Sequence, residues 1–156
     1  MSFASRTAIR RLATLSVLPL LLLLGAAGVQ AQSTPVGLWK TIDDETKAEK
    51  SLVRIVAGAD GALVGKVEKI LDPQARPDAR CDKCEDERKD QPILGMTILR
   101  KAKAADGQVW EGGDILDPNK GKVYRLRLKP LDGGARLEVR GYLGPFYRNQ
   151  IWQRVE

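Results

Sequence analysis

Cys81-Asp82-Lys83-Cys84 is the arrangement in this chain whose residue types and spacing speak most directly of chemistry. A C-x-x-C pair can close as a disulfide, act as a dithiol redox centre, or give two thiolates to a metal. A metal site needs further ligands. The chain has two cysteines and no histidine, so only the nearby acids Asp82, Glu85, Asp86 and Glu87 remain as oxygen donors. A redox pair needs a thiolate of lowered pKa, usually at a helix N-terminus, and acidic neighbours raise a thiol pKa instead. Without histidine, Ser-His-Asp and Cys-His nucleophilic sites cannot be built. Carboxylates are left for acid–base work, with Asp43-Asp44-Glu45 the candidate cluster. Adjacent acids between two strand-like runs read more simply as a solvated loop. No catalytic residue, metal or cofactor is assigned.

The compartment decides what the cysteines mean. Arg6, Arg10 and Arg11 form a basic start, an apolar run follows from Leu12 to Gly28, and Val29-Gln30-Ala31 ends it with small residues at the −3 and −1 positions. This is the layout of a cleaved secretory signal peptide over residues 1–31. An uncleaved anchor is the rival reading, since about 17 apolar residues lie near the lower limit of a membrane span. Pro19, Gly25 and Gly28 favour cleavage, leaving no transmembrane segment in the mature chain. The Arg10-Arg11 pair raises the twin-arginine route, but Leu12-Ala13-Thr14 does not continue its motif. The expected location is therefore periplasmic or secreted. In an oxidising compartment Cys81 and Cys84 are first expected to pair as a disulfide that stiffens a loop tip. The redox and metal readings stay behind it.

Removing residues 1–31 leaves residues 32–156, enough for one domain with a real core. The removed segment carries three of the 26 Lys+Arg and none of the 20 Asp+Glu, so the formal charge falls from +6 to +3. The remaining charges are interspersed by sign, without an arginine-rich tract or interleaved aromatics. Nucleic-acid binding has no support.

Eight short strand-like runs follow Gln32. They cover Val36–Ile42, Leu52–Ala57, Ala62–Leu71, Met96–Ala104, Gln108–Leu116, Lys122–Lys129, Arg136–Tyr142 and Asn149–Val155. The sixth alternates most cleanly, with Tyr124, Leu126 and Leu128 on one face and Arg125, Arg127 and Lys129 on the other. In the seventh, Leu137 and Val139 point inward. Gly112-Gly113 marks a bulge or sharp bend in the fifth. No stretch has the period of an amphipathic helix. Tight turns such as Asp117-Pro118-Asn119-Lys120-Gly121 join neighbouring runs. The fold expected is all-β: a single antiparallel, eight-stranded up-and-down barrel, closed so that no edge strand is left bare. The charged, proline-rich segment 72–92 interrupts it and holds both cysteines. At about 20 residues it is long for a structureless connection, which suggests a functional or tethered loop.

Gly37-Leu38-Trp39 in the first strand and Trp152-Gln153-Arg154 in the last resemble the lipocalin (calycin) arrangement. There a Gly-x-Trp closes one end of the barrel and a late basic residue packs across the indole. The resemblance implies that Gly37, Trp39 and Arg154 close this barrel, with a cation–π contact of roughly 1 kcal/mol or more. An ordinary core tryptophan is the alternative. A broader resemblance is to the bacterial family catalogued as domain of unknown function 2147. It rests on Gly37-Leu38-Trp39-Lys40, Gly65-Lys66-Val67, Pro92-Ile93-Leu94-Gly95-Met96, Trp110-Glu111-Gly112-Gly113, Ile115-Leu116-Asp117-Pro118, Gly121-Lys122-Val123-Tyr124, Arg140-Gly141-Tyr142 and Gln150-Ile151-Trp152-Gln153-Arg154. It implies an exported, lipocalin-like barrel and carries over no functional residue.

Two functions follow as expectations. An eight-stranded barrel holds at most one small ligand, so the first is a module binding a small apolar or amphipathic molecule, such as a fatty acid or lipid fragment. Trp110, Tyr124, Leu126 and Tyr142 are then the side chains placed to line its cavity, with core packing as their simpler role. The second is a structural or interaction protein of the cell envelope, meeting a protein partner through the disulfide-tethered 72–92 loop. An enzyme is the third and least supported class, and its remaining chemistry is thiol redox at Cys81 and Cys84.

Overall fold

A computed structural model describes residues 33–156, so the expected signal peptide lies outside the described residues. Eight strands follow in chain order: β1 (Gly37–Ile42), β2 (Glu49–Ala57), β3 (Leu63–Ile70), β4 (Thr97–Ala105), β5 (Val109–Asp117), β6 (Lys122–Leu131), β7 (Arg136–Leu143) and β8 (Phe146–Arg154). Each pairs antiparallel with the next, and β8 returns to β1 to close the barrel. A short 3-10 turn, Asp132–Gly134, joins β6 to β7. The sequence expectation of an eight-stranded up-and-down barrel is met.

Period-two alternation places the core. In β6, Leu126 and Leu128 are buried while Lys122, Arg125 and Lys129 are exposed. The same parity buries Val53 and Ile55 of β2, Leu63 and Val67 of β3, and Leu137 and Val139 of β7 in one cluster with Trp39 and Trp152. Burying each such side chain is worth about 1.5–3 kcal/mol. At the glycine pair of β5 the register shifts between Glu111 and Gly113, which is the expected bulge.

Two strands start three residues earlier than expected. β2 starts at Glu49, because Ile42 still pairs with Glu49 around the hairpin. β8 starts at Phe146, because Gly144-Pro145 makes a two-residue turn that sets Leu143 opposite Phe146 and Tyr142 opposite Tyr147. That hairpin end projects into solvent, with Phe146 76% exposed. Without a buried face it has no alternation for a sequence reading to detect.

The strand directions sort the connections between the two ends of the barrel. One end carries the segments before β1 and after β8 with the short β2–β3, β4–β5 and β6–β7 turns. The other carries the β1–β2 loop, the β5–β6 and β7–β8 turns, and the long segment 71–96 between β3 and β4.

Candidate ligand-binding site

The first end is sealed by the residues of the Gly-x-Trp motif. Trp39 is fully buried and its indole Nε1 donates to the Pro35 carbonyl at 2.7 Å. The Arg154 guanidinium lies over the ring, 4.2 Å from its centroid, and donates to the carbonyls of Gly134 (2.5 Å), Val36 (2.8 Å) and Thr34 (2.6 Å). It therefore holds three chain segments against one indole. Gly37 makes room for it: a Cβ there would sit 2.3 Å from an Arg154 nitrogen, and its φ of 145° suits glycine.

The second end is hollow. A cavity of about 200 Å³ opens between the barrel interior and the 71–96 segment. Its two walls differ in chemistry. β8, β1 and β2 are neighbours around the barrel and supply Arg148, Gln150, Thr41, Asp43, Lys50 and Ser51. The remaining strands supply Val67, Ile98, Ile115 and Val139, with Asp117 where β5 ends at the mouth, and Trp152 of β8 joins the apolar side.

Every member of the polar wall has a partner. Thr41 Oγ1 and Ser51 Oγ lie 2.9 Å apart, and Ser51 N–H donates to Thr41 Oγ1 at 3.0 Å. Lys50 Nζ donates to Asp72 Oδ2 at 2.8 Å, which lowers the Asp72 pKa and raises that of Lys50. Arg148 Nε donates to both Asp44 oxygens at 2.8 and 2.6 Å, and its Nη2 lies 3.2 Å from Glu45 and 3.9 Å from Asp43. The hydrogen bonds from Arg148 hold the Asp44 carboxyl below its ordinary range. The Asp43 carboxyl is lowered chiefly by the Thr46 backbone N–H, which caps the same loop. Gln150 Oε1 accepts from the Trp152 indole at 2.9 Å. A half-buried polar wall so satisfied is held in place by its own bonds.

Over the mouth lies the 71–96 segment, which has no helix or strand of its own beyond one bridge, Arg80 to Pro92. Its inner face gives Ala75, Ala79 and Ile93 to the cavity. Cys81 and Cys84 form a disulfide that is 0% and 2% exposed and joins the core cluster. The expected role at a loop tip is thereby corrected. The bond faces the barrel, with Cys81 Sγ 3.3 Å from the Pro118 carbonyl, because the backbone folds it inward: Cys81 N–H donates to Gln91 and Asp90 N–H to Cys81, each at 3.0 Å. Gly121 of the β5–β6 turn meets this segment so closely that a Cβ would stand 1.9 Å from the Lys83 oxygen. Farther along, Arg88, only 6% exposed, grips Asp86 through Nε at 3.0 and 3.1 Å and donates to the Thr97 carbonyl at 3.2 Å. Arg100 of β4 reaches Glu87 at 2.6 Å and Asp114 of β5 at 3.1 Å. The segment is a pinned lid.

A family model described as "Uncharacterized protein conserved in bacteria (DUF2147)" matches residues 37–154, which span every strand above. The chain belongs to that family. Among solved structures, the barrel is similar to protein HP1028 from Helicobacter pylori, described as belonging to the lipocalin family. The two share 15% identity with a TM-score of 0.64, over 78% of this chain and 82% of that one. At this identity the likeness is one of fold. No curated protein matches the chain.

The expected lining residues divide within this DUF2147 barrel. Tyr124 borders the cavity. Trp110, Leu126 and Tyr142 do not, and for each the reason is geometric. Trp110 pairs with Leu128 towards the sealed end and packs on the core there. Leu126, 1% exposed, belongs to the packed layer. Tyr142 follows inward-facing Gly141 and so points outward, where Arg125 stacks on its ring at 5.0 Å. Of the polar wall, only Asp43 stood out in the sequence. Asp43-Asp44-Glu45 reads as a solvated loop until Arg148, 104 residues beyond Asp44, is brought against it. No local spacing signals such a pair.

Proposed function

We propose that this protein is an exported bacterial binding protein that holds a small amphipathic molecule between its barrel and its 71–96 lid. One observation carries the reading: the cavity of about 200 Å³ has a satisfied polar wall on three adjacent strands and an apolar wall opposite. A packed structural barrel would fill that space with side chains. Lipocalin-like architecture is compatible with such a site, and the secretory layout of residues 1–31 supports export to the periplasm or beyond.

The volume limits the guest. A cavity of roughly 150 Å³ accepts benzene, so the ligand portion enclosed here has on the order of ten non-hydrogen atoms. A whole long-chain fatty acid is too large for the enclosed space; a short or truncated amphiphile suits it. The lid spends its disulfide, its alanines and Ile93 on the barrel side, which favours a cover over a partner-binding surface for the 72–92 segment.

Native mass spectrometry of the protein, purified from the envelope fraction of its own bacterium, tests both halves. The expected result is a mature chain beginning at Gln32 with a bound small organic molecule that leaves on activation. Retention of residues 1–31 in the cytoplasmic fraction would overturn export. Consistently empty protein that also ignores a panel of small amphiphiles would overturn binding.

A further inference from the structure

The charges around the cavity distinguish between ligand headgroups. Three carboxylates (Asp43, Asp72 and Asp117) line the cavity against two cations, Lys50 and Arg148, and Asp44 and Glu45 stand behind Arg148. Both cations are already engaged, Lys50 by Asp72 at 2.8 Å and Arg148 by Asp44 and Glu45 at 2.5 and 3.2 Å. A carboxylate ligand would have to displace one of these acids and enter a field of like charge. A cation meets the opposite situation. Asp43 spends Oδ1 on capping its own loop, accepting from Glu45 N–H (3.1 Å), Thr46 N–H (2.7 Å) and Thr46 Oγ1 (2.9 Å). Asp117 likewise uses Oδ1 for Asn119 N–H (3.1 Å) and Lys120 N–H (3.3 Å). Asp117 Oδ2 has no partner among the described residues, and Asp43 Oδ2 meets only Arg148 Nη2, at 3.9 Å and beyond hydrogen-bond range. Among the described residues no group of three or more acids converges as a metal site, and the facing wall of Val67, Ile98, Ile115 and Val139 wants hydrocarbon.

We infer that the guest is a small amphipathic amine, whose ammonium lies at the lid end of the cavity, between the carboxylates of Asp43 and Asp117, while its hydrocarbon part lies on the β3–β7 wall. This rests on the binding reading above and specifies its headgroup, replacing the fatty-acid expectation with a ligand of opposite charge. The hydrogen bonds and ion pairs that lower the Asp43, Asp44 and Asp72 pKa values keep the wall anionic well below neutral pH.

Three probes with the same alkyl chain separate charge from hydrophobic burial: n-hexylammonium, 1-hexanol and hexanoate. Each is titrated at pH 7 and low salt into the mature protein, with NMR following the Trp152 indole N–H and the methyls of Val67 and Ile115. Affinity is expected to fall from hexylammonium to hexanol to hexanoate by about fivefold per step, the size of a partly screened ion pair. Salt should weaken the ammonium alone. The double substitution Asp43→Asn/Asp117→Asn keeps an Oδ1 for each cap. It should bring hexylammonium down to the hexanol affinity and leave hexanol unchanged. Hexanoate binding as tightly as hexylammonium, or an ammonium preference surviving the double substitution, overturns the amine assignment and leaves the cavity reading intact. If none of the three probes moves the cavity resonances, the binding reading itself falls, and the amine with it.

Discussion

Two arginines show how one side chain can fix distant chain segments. Arg154 stacks on Trp39 and donates to the carbonyls of Thr34, Val36 and Gly134, where β8 pairs with β1. Arg154→Met keeps much of the stem but loses the charge-assisted bonds and the cation–π contact. Chemical denaturation should show a loss of about 2–3 kcal/mol. Arg88 does the same for the lid, and its carboxylate partner carries a pH signature. The Asp86 pKa is held at about 2 against an ordinary 3.8, chiefly by hydrogen bonds from Arg88. A carboxyl with a depressed folded-state pKa stabilises the fold in full above its unfolded value and ceases to do so as the pH falls through its folded value. Asp86→Asn is therefore expected to cost about 2 kcal/mol at pH 7, where it strands a buried guanidinium. The gap between the two proteins should close between about pH 4 and pH 2. Urea titrations at pH 7, 4 and 2.5 read this directly; a gap independent of pH would deny the pairing its role. These residues were only partly legible beforehand. Trp39 and Arg154 stood out by motif, whereas Arg88 and Asp86 looked like ordinary members of a charged loop, since nothing local shows that the loop folds inward.

Elements differ in how much of them the sequence exposes. Strands with one buried face reveal themselves by parity, as in Leu126 and Leu128 between arginines and lysines, and parity also sends Tyr142 outward once Leu137 and Val139 point in. The Phe146 end of β8 has no buried face, and the lid has no period at all. Its architecture is set by contacts reaching across the barrel mouth: the Cys81–Cys84 disulfide on Pro118, Lys83 on Gly121, and Arg88 on Thr97. Two variants should loosen it while sparing the barrel. Cys81→Ser/Cys84→Ser removes a short covalent loop, worth about 2 kcal/mol by chain entropy, and places hydroxyls where sulfur was buried. Gly121→Ala forces a Cβ into the Lys83 backbone at a φ of 66°. Hydrogen exchange should accelerate for the Cys81, Asp90 and Ile93 amides, which bond within the lid. Amides of β6 and β7 should keep their protection. Uniform acceleration throughout the barrel would mean that the lid and the barrel unfold as one unit.

At the scale of the whole molecule, the barrel divides its interior between stability and space. Towards the sealed end, Trp39, Val53, Ile55, Leu128 and Leu137 are all at zero exposure. Towards the lid, about 200 Å³ is left open. The space opens to solvent and has a polar wall, so it forgoes less than the roughly 5 kcal/mol of packing that a closed dry void of that volume would. The Arg148 and Lys50 ion pairs on one wall also prevent the space from collapsing onto hydrocarbon. The two halves should therefore answer the same substitution with opposite results. Val139 lines the cavity, and Val139→Phe places a ring in open space. It is expected to hold or raise the thermal midpoint and to abolish binding of every hexyl probe. Val53, buried outside the cavity lining, has no such room. Val53→Phe should overpack the core and cost about 1–3 kcal/mol. Thermal scans of both variants, with and without hexylammonium, settle the division. Equal destabilisation by the two substitutions would show that the space under the lid is already spoken for by side chains, and a binding role for the barrel interior would have to be abandoned.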